Sequence, residues 1–276
     1  MSTSAYFLPG SLEEATSLLA EHGPTLLVMA GGTIAMPLIN EGISSPEKVM
    51  GLRRTGMNYI SRSDGHLTIG ATTTLTQMIH QDEIPVLQEA ARAVGGWAIR
   101  NMGTVGGNLF APPPAGDFAA GLLALDAQVK LVHRKGERWL PLSEFYSGFM
   151  VTALQSGELV AELRVQLPKG KTSFIKFGRK HSNTPAVVTV AAQLVMDDKR
   201  ILEARLALNA AGPYPMRMKK AEQILKGSTL DAAVIGEAAQ VAMDESEPFT
   251  DGIASEWYRR KMVQVFVRRA LEKAGG

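Results

Sequence analysis

Between Arg100 and Asp117 the chain carries residues that regular secondary structure cannot absorb, and this stretch limits the fold more than any other. Gly103, Gly106 and Gly107 fall within five positions, and Pro112, Pro113 and Pro114 follow before Gly116 and Asp117. Glycine weakens helix and strand alike, and prolines in succession remove donors that a central strand or helix interior requires. The backbone here is expected to be irregular, with main-chain N–H groups uncovered by side chains. A second segment of the same character, Ala30-Gly31-Gly32-Thr33, follows the apolar run 25–29. That run opens at Pro24 and is short and bounded by breakers, as a buried strand should be.

The punctuation elsewhere is regular. Ser11 and Glu14 form a capping box for a helix whose apolar face is Leu12, Ala15, Leu18 and Leu19 and which Gly23 stops. Strands are expected at 48–52 and on either side of Asp64-Gly65, a hairpin signal. Helices are expected from Thr74 and over 85–94, then at 118–125, with a strand at 128–132 before the turn Lys135-Gly136. Beyond Gly170-Lys171 the runs 173–177, 186–196 and 201–208 read as a three-stranded meander. Helices over 218–225, 232–243 and 257–273 close the chain. In the last of these Tyr258, Met262, Val265 and Phe266 share a face, with Arg259, Arg260, Arg268 and Arg269 turned away from it. The pattern reads as an α/β region to about Pro168 followed by a smaller α+β domain.

Composition removes whole classes of function. With 276 residues and 45% apolar content the chain can bury a full core, in one large domain or two to three smaller ones. There is no cysteine, so disulfides, thiolate nucleophiles and Cys-ligated zinc or iron–sulfur clusters are excluded on this chain. A net charge of +2 with scattered basic pairs does not make a nucleic-acid surface. The apolar stretches are too short for a membrane span, and the opening residues Met1 to Tyr6 lack the basic region and apolar run of a signal peptide, so a cytoplasmic location is expected. The histidines His22, His66, His80, His133 and His181 show no metal-ligand spacing, and G-x-S-x-G is absent. No metal site and no catalytic residue is assigned to this chain.

What remains is the pair of glycine segments. A phosphate is held best by several converging N–H donors, and Thr33, Thr104 and Asn108 stand ready to add side-chain donors. Either segment alone is compatible with a tight turn, and two together favour a dinucleotide. Neither is the Rossmann G-x-G-x-x-G, and there is no P-loop.

At these residues the chain resembles a known family. Ala30-Gly31-Gly32-Thr33 with Ile99-Arg100-Asn101-Met102-Gly103-Thr104-Val105-Gly106-Gly107-Asn108 is similar to the double FAD signature of the molybdenum hydroxylase flavin subunit, a family that includes the carbon monoxide dehydrogenase medium subunit and the flavin domain of xanthine dehydrogenase. The likeness continues at Gly116-Asp117, through the run 122–127, at Lys176-Phe177-Gly178-Arg179 and at Gly212-Pro213-Tyr214-Pro215-Met216-Arg217, covering almost the whole chain. It implies an α+β fold: a two-lobed FAD-binding domain of the vanillyl-alcohol oxidase type over residues 1–168, with lobes of about 1–55 and 56–168. A smaller α+β C-terminal domain over 171–276, with a three-stranded antiparallel sheet and helices, would follow. FAD would be bound non-covalently. Ala30, Gly31, Gly32, Thr33 and Ile34, with Thr104, Val105, Gly106, Gly107 and Asn108, would wrap its pyrophosphate, and Met29 and Asn101 would also belong to the cofactor site. Gly116 and Asp117 would meet the ribose or adenosine side, and Leu159, Val160 and Lys176 the isoalloxazine, with Lys176 as the positive charge near the reduced ring. The alternative for Lys176 is a solvated strand lysine, for Asp117 a loop-capping turn, and His181 reads as a surface histidine. Ile34 departs from the family, whose members often carry a small hydroxyl residue there.

The resemblance also implies partners: a small iron–sulfur subunit with [2Fe-2S] clusters and a large subunit with a molybdenum–pterin cofactor, in a hetero-oligomer for which an α2β2γ2 plan would fit. FAD here would pass electrons from the clusters to NAD, oxygen, a quinone or another acceptor. Two alternatives stay open from sequence: a free-standing flavoprotein reductase or oxidase similar to UDP-N-acetylenolpyruvoylglucosamine reductase, and a scaffold whose glycine loops hold no nucleotide.

Overall fold

A computed structural model describes residues 3–276; Met1 and Ser2, the first residues of the N-terminal segment considered above, lie outside the described residues. The first lobe is built on three parallel strands, β1 (Ala5–Phe7), β2 (Leu26–Met29) and β3 (Lys48–Gly51), in the order β1-β3-β2. Helix α1 (Leu12–His22) runs between β1 and β2, and α2 (Ala35–Asn40) follows β2. Ser11 caps α1 by accepting from Glu14 N at 3.1 Å, while the Glu14 carboxylate reaches one residue further back and accepts from Gly10 N at 2.7 Å. Only Leu26 of β2 is buried; Leu27, Val28 and Met29 are half-buried. The fully buried strand expected here is instead one wall of a cleft.

The second lobe contains β4 (Ile60–Ser63), β5 (His66–Gly70), α3 (Leu75–Ile79), α4 (Pro85–Ala93), α5 (Trp97–Met102), α6 (Val105–Asn108), α7 (Asp117–Ala124), β6 (Gln128–His133), β7 (Gly136–Pro141), β8 (Tyr146–Gly148), β9 (Val151–Thr152) and β10 (Leu159–Gln166). Asp64 and Gly65 both take positive φ, 50° and 74°, the turn geometry that lets a two-residue hairpin follow the strand twist. The main sheet, β4-β5-β10-β6-β7, is antiparallel throughout, and β8 and β9 form a separate hairpin. An α/β reading to Pro168 is therefore corrected: parallel pairing stops at β3, and the class is α+β. The glycine-rich segment is also more regular than its composition implies. One helical turn, α5, ends at Gly103, and Thr104 caps a second, α6, by accepting from Gly107 N at 3.0 Å. Besides Gly103 and Thr104 between the two turns, the stretch 109–116 between α6 and α7 lacks helix and strand.

In the C-terminal part β11 (Lys171–Gly178), β12 (Ala186–Asp197) and β13 (Arg200–Asn209) form the expected meander, extended at its edge by the two residues of β14 (Met216–Arg217). Helices α8 (Lys219–Leu225), α9 (Ala232–Glu245) and α10 (Glu256–Gly275) cover one face. The other face meets α7, every residue of which is buried, so this helix needs no polar side. One apolar cluster surrounds Ile69, Phe118 and Leu163, and a second surrounds Val190, Leu208 and Val267.

Arg259 overturns the expectation for the last helix. It is fully buried, not turned to solvent. Its guanidinium donates to Ala186 O, Val187 O and Ala210 O at 2.7–3.1 Å and forms a bidentate pair with Asp251 at 2.7 and 2.8 Å. The inward face of α10 is Val263, Phe266, Val267, Ala270 and Leu271, and Tyr258 lies at its exposed edge.

Candidate functional site

The two glycine segments meet. Leu75 N donates to Gly103 O, Val105 N to Thr73 O and Gly106 N to Ala71 O, each at 2.9 Å, which fastens the second segment to the chain leaving β5. Ala71 N in turn donates to Ala161 O of β10 at 2.9 Å, so one connected wall carries Ala71, Gly106 and Val160. The first segment closes on this wall at Gly31, where a β-carbon would stand 1.9 Å from Met102 O. A β-carbon at Gly106 would stand 2.7 Å from Ala71 Cβ. Both positions require glycine for close backbone approach rather than for a turn.

Between these segments lies a cleft of about 560 Å³, within the range of small-molecule and cofactor sites. Met29, Ala30, Gly31, Gly32, Thr33, Ile34, Thr104, Gly106, Gly107, Asn108, Gly116, Asp117, Leu159, Val160 and Lys176 line it. Asn101 and Val105 do not. Asn101 Oδ1 accepts from Thr76 Oγ1 at 2.7 Å behind the wall, and Val105 points into the core. The sequence reading missed Thr72, Leu75, Gly103, Phe110 and the 183–185 segment, which also line the cleft. Thr72 carries no motif, and 183–185 arrives from the C-terminal part of the chain, so only tertiary folding brings them here.

The segments differ in what they offer. In the second, every N–H from Val105 to Asn108 is spent internally, on Thr73 O, Ala71 O, Thr104 Oγ1 and Thr104 O. In the first, none of the described residues accepts from the N–H groups of Gly31, Gly32, Thr33 or Ile34. With Gly32 at φ 74° and all four residues on the cleft, these amides are open to an anion. Two cleft residues also hold side-chain oxygens that are buried without a partner, Thr72 Oγ1 and Asn108 Oδ1. Buried polar groups are nearly always paired, so an orphaned hydroxyl and amide oxygen on one cleft call for a ligand with hydroxyl and acceptor groups of its own. Apolar side chains from Leu27, Leu38, Leu52, Val94 and Ile99 complete the lining. Free amides for a diphosphate, orphaned oxygens for a polyol and apolar walls for flat rings fit FAD.

Charge within the cleft is balanced. Lys176 Nζ lies 2.7 Å from Asp117 Oδ2 and donates to Ala93 O at 2.9 Å, and both charged side chains are largely buried. Lys176 is thus no solvated strand lysine. Asp117 is the first residue of α7 rather than a loop cap. Glu158, at the same cleft, accepts from Arg138 Nε and Nη2 and from Gln155 N; the Arg138 guanidinium first, then that N–H, hold its carboxyl below the usual range against the effect of burial. His181 is exposed. Among the described residues no group of three or more His, Asp or Glu side chains could hold a metal ion.

Comparison with known proteins gives the same answer by another route. Residues 2–169 match the family described as the FAD binding domain in molybdopterin dehydrogenase, and residues 173–274 match the CO dehydrogenase flavoprotein C-terminal domain. The chain is 34% identical to the 6-hydroxypseudooxynicotine dehydrogenase complex subunit alpha of Paenarthrobacter nicotinovorans, over 98% of this chain and 93% of that one. It is 30% identical to the carbon monoxide dehydrogenase medium chain of Afipia carboxidovorans, over 98% and 96%. Its fold superposes on a chain of Cu,Mo-CO dehydrogenase with a TM-score of 0.94 at 29% identity, covering 100% of this chain and 99% of that one. Quinoline 2-oxidoreductase from Pseudomonas putida 86 gives 0.91 at 27% identity, over 98% and 96%. Since the cleft that fits FAD and the likeness along the whole chain point one way, this protein belongs to the family of FAD-binding flavin subunits of molybdenum hydroxylases.

Proposed function

We propose that this chain is the FAD-binding subunit of a heteromeric molybdenum hydroxylase, holding FAD non-covalently between its glycine segments. The observation that carries the reading is the row of N–H groups at Gly31, Gly32, Thr33 and Ile34 with no partner among the described residues, held open because Gly31 is locked against Met102 O. Those amides would grip the pyrophosphate, and Ile34 would serve through its N–H, so the missing hydroxyl does not remove the site. Thr104, Gly106 and Gly107 would supply a close wall rather than donors, and the Asn108 amide would meet a hydroxyl. Asp117, expected from the resemblance at the ribose or adenosine side, is paired with Lys176 at 2.7 Å, so in this reading it would stand with Lys176, Leu159 and Val160 toward the flavin, while Asn101 and Val105 support from behind. FAD bound here supplies one- and two-electron exchange.

The chain has no cysteine to ligate an iron–sulfur cluster; in the complex we propose from its family membership, the clusters reside on a small partner subunit and the molybdenum–pterin on a large one. We read residues 1–168 as the flavin domain, with lobes of about 1–55 and 56–168, and 171–276 as the C-terminal domain. Among the described residues no helix is long and apolar enough to cross a membrane. A cytoplasmic location is part of the proposal, and cell fractionation tests it.

The deciding experiment is purification of the tagged chain from its native host. A yellow protein whose visible bands bleach on reduction, accompanied by a cysteine-rich small subunit and a large molybdenum protein, is the expected result. A colourless chain that FAD cannot reconstitute overturns the cofactor assignment, and a lone flavoprotein that turns over substrate overturns the subunit assignment.

A further inference from the structure

The charged pair on the cleft wall is held from the C-terminal sheet. Lys176 on β11 stands opposite Thr189 on β12, and Thr189 stands opposite Asn209 on β13, so the three side chains form one row across three strands and emerge on the same face. All three converge on Asp117. Oδ1 of its carboxylate accepts from Thr189 Oγ1 at 2.5 Å and from Asn209 Nδ2 at 3.4 Å, while Oδ2 pairs with Lys176 Nζ at 2.7 Å. Asn209 Nδ2 also donates to Ala115 O at 3.1 Å and Pro114 O at 3.3 Å, and Ala115 lines the cleft beside Asp117. Thr189 and Asn209 are wholly buried, and the β12 neighbours of Thr189 are the buried Val188 and Val190. Polar side chains in such a strand are costly unless paired; the Thr189 hydroxyl and the Asn209 Nδ2 share a cleft carboxylate, while Asn209 Oδ1 is buried with no partner among the described residues.

The geometry divides the carboxylate: one oxygen is occupied by neutral donors, the other by the ammonium. Lys176 has three N–H donors, of which Asp117 and Ala93 O take two. The third has no partner among the described residues and is available to the cleft. We propose that Thr189 and Asn209 are positioning residues for the flavin: by fixing the Asp117 carboxylate they hold the Lys176 ammonium with one donor turned to the cleft, and so set how readily bound FAD accepts electrons. This rests on FAD occupying the cleft as proposed above. Without the Thr189 hydroxyl, Oδ1 keeps only the longer Asn209 contact at 3.4 Å, so its charge is less compensated and the carboxylate is free to turn further toward Lys176, drawing the ammonium away from the cleft. Both effects make the cleft more negative and disfavour reduction.

The test uses the full chain loaded with FAD, equilibrated against a redox indicator dye, with flavin stoichiometry read separately from the spectrum. Thr189→Val keeps the shape and removes the hydroxyl. The expected result is full flavin loading with an equilibrium constant for flavin reduction lowered about tenfold, the size that follows from one hydrogen bond to a buried charge. Asn209→Leu is expected to shift it in the same direction by less, and Thr189→Ser, which keeps the hydroxyl, to leave it at the wild-type value. A flavin-loaded Thr189→Val or Asn209→Leu protein with an unchanged equilibrium overturns the proposal, as does a shift in Thr189→Ser. Failure of the wild-type chain to bind FAD would instead sink the cofactor assignment.

Discussion

Gly31 and Met102 touch in a way that admits no side chain: a β-carbon on Gly31 would lie 1.9 Å from the Met102 carbonyl oxygen, and that oxygen belongs to backbone that cannot swing aside. The contact joins the loop after β2 to the last residue of α5, seventy-one positions further along the sequence. Gly31→Ala is therefore expected to part the two loops and weaken FAD binding by tenfold or more, at a stability cost of about 1–3 kcal/mol for overpacking. Gly32→Ala gives a contrast. Its neighbours are the flexible Met29 and Met36 side chains at 3.3 and 3.4 Å, so the left-handed φ of 74° is its main penalty, about 1–2 kcal/mol. Titrating each purified variant with FAD and following flavin fluorescence ranks them; equal affinities for Gly31→Ala and wild type would refute the close-approach role.

Asn108 is expected to separate folding from binding. Its Oδ1 is buried and unpartnered in the chain without cofactor, so Asn108→Leu removes an unpaired polar atom and should leave the stability of the FAD-free protein equal or higher. The same change deprives a ligand hydroxyl of its acceptor, and FAD affinity should fall roughly tenfold. Thermal melts with and without FAD measure both effects at once. A variant destabilised without FAD yet unaltered in affinity would mean that Asn108 serves only the core.

Much of the frame was legible because its signals are local. Ser11 and Thr74 cap helices, and Asp64-Gly65 turns a hairpin, through contacts within a few residues, so composition at those positions suffices. The glycine pairs marked the cleft for the same reason. What escaped is what depends on distant partners. That the amides of Val105 to Asn108 are spent while those of Gly31 to Ile34 are open follows from where Ala71 and Thr73 lie, and nothing within 105–108 encodes it. Asp117 and Lys176 each stood out, but their pairing with Thr189 and Asn209 exists only once β11, β12 and β13 are in register against α7. Arg259 was misjudged because an amphipathic helix normally exposes its arginines, and this one finds five oxygen acceptors in the interior: three carbonyls and the two oxygens of Asp251.

Alkaline titration should isolate Tyr59. Burial first, then the nearby Glu162 carboxylate, push its hydroxyl up to about 12. A folded value above the unfolded one of about 10 means that its contribution to stability is complete below pH 10 and is lost as pH rises toward 12. Ultraviolet difference spectra of the protein and of Tyr59→Phe give the titration curve of this one phenol, and Glu162→Gln should move that curve to lower pH. An unmoved curve would show that Glu162 has no part in the shift.

The Arg259–Asp251 pair should govern acid stability in the C-terminal domain. Burial alone would raise the Asp251 carboxyl, but the Arg259 guanidinium and the N–H groups of Ala254 and Ile253 outweigh it and hold the value below the usual range. A lowered carboxyl contributes stability that is present above its unfolded value, near pH 4, and is lost as pH falls through its folded one. Asp251→Asn should therefore flatten the acid limb of the stability curve below about pH 4. At neutral pH it should cost about 3 kcal/mol, the low end for stranding a buried charge, because Asp251 is partly exposed and water can approach Arg259 from that side. Arg259→Met should cost a similar amount for a different reason, since Ala186 O, Val187 O and Ala210 O lose their donor. Because the asparagine variant harms chiefly by leaving the arginine unpaired, the double variant should be little worse than Arg259→Met alone. Urea unfolding of the three variants measures that coupling. If the single losses simply add, the two residues act independently and Arg259 is held by the carbonyls alone.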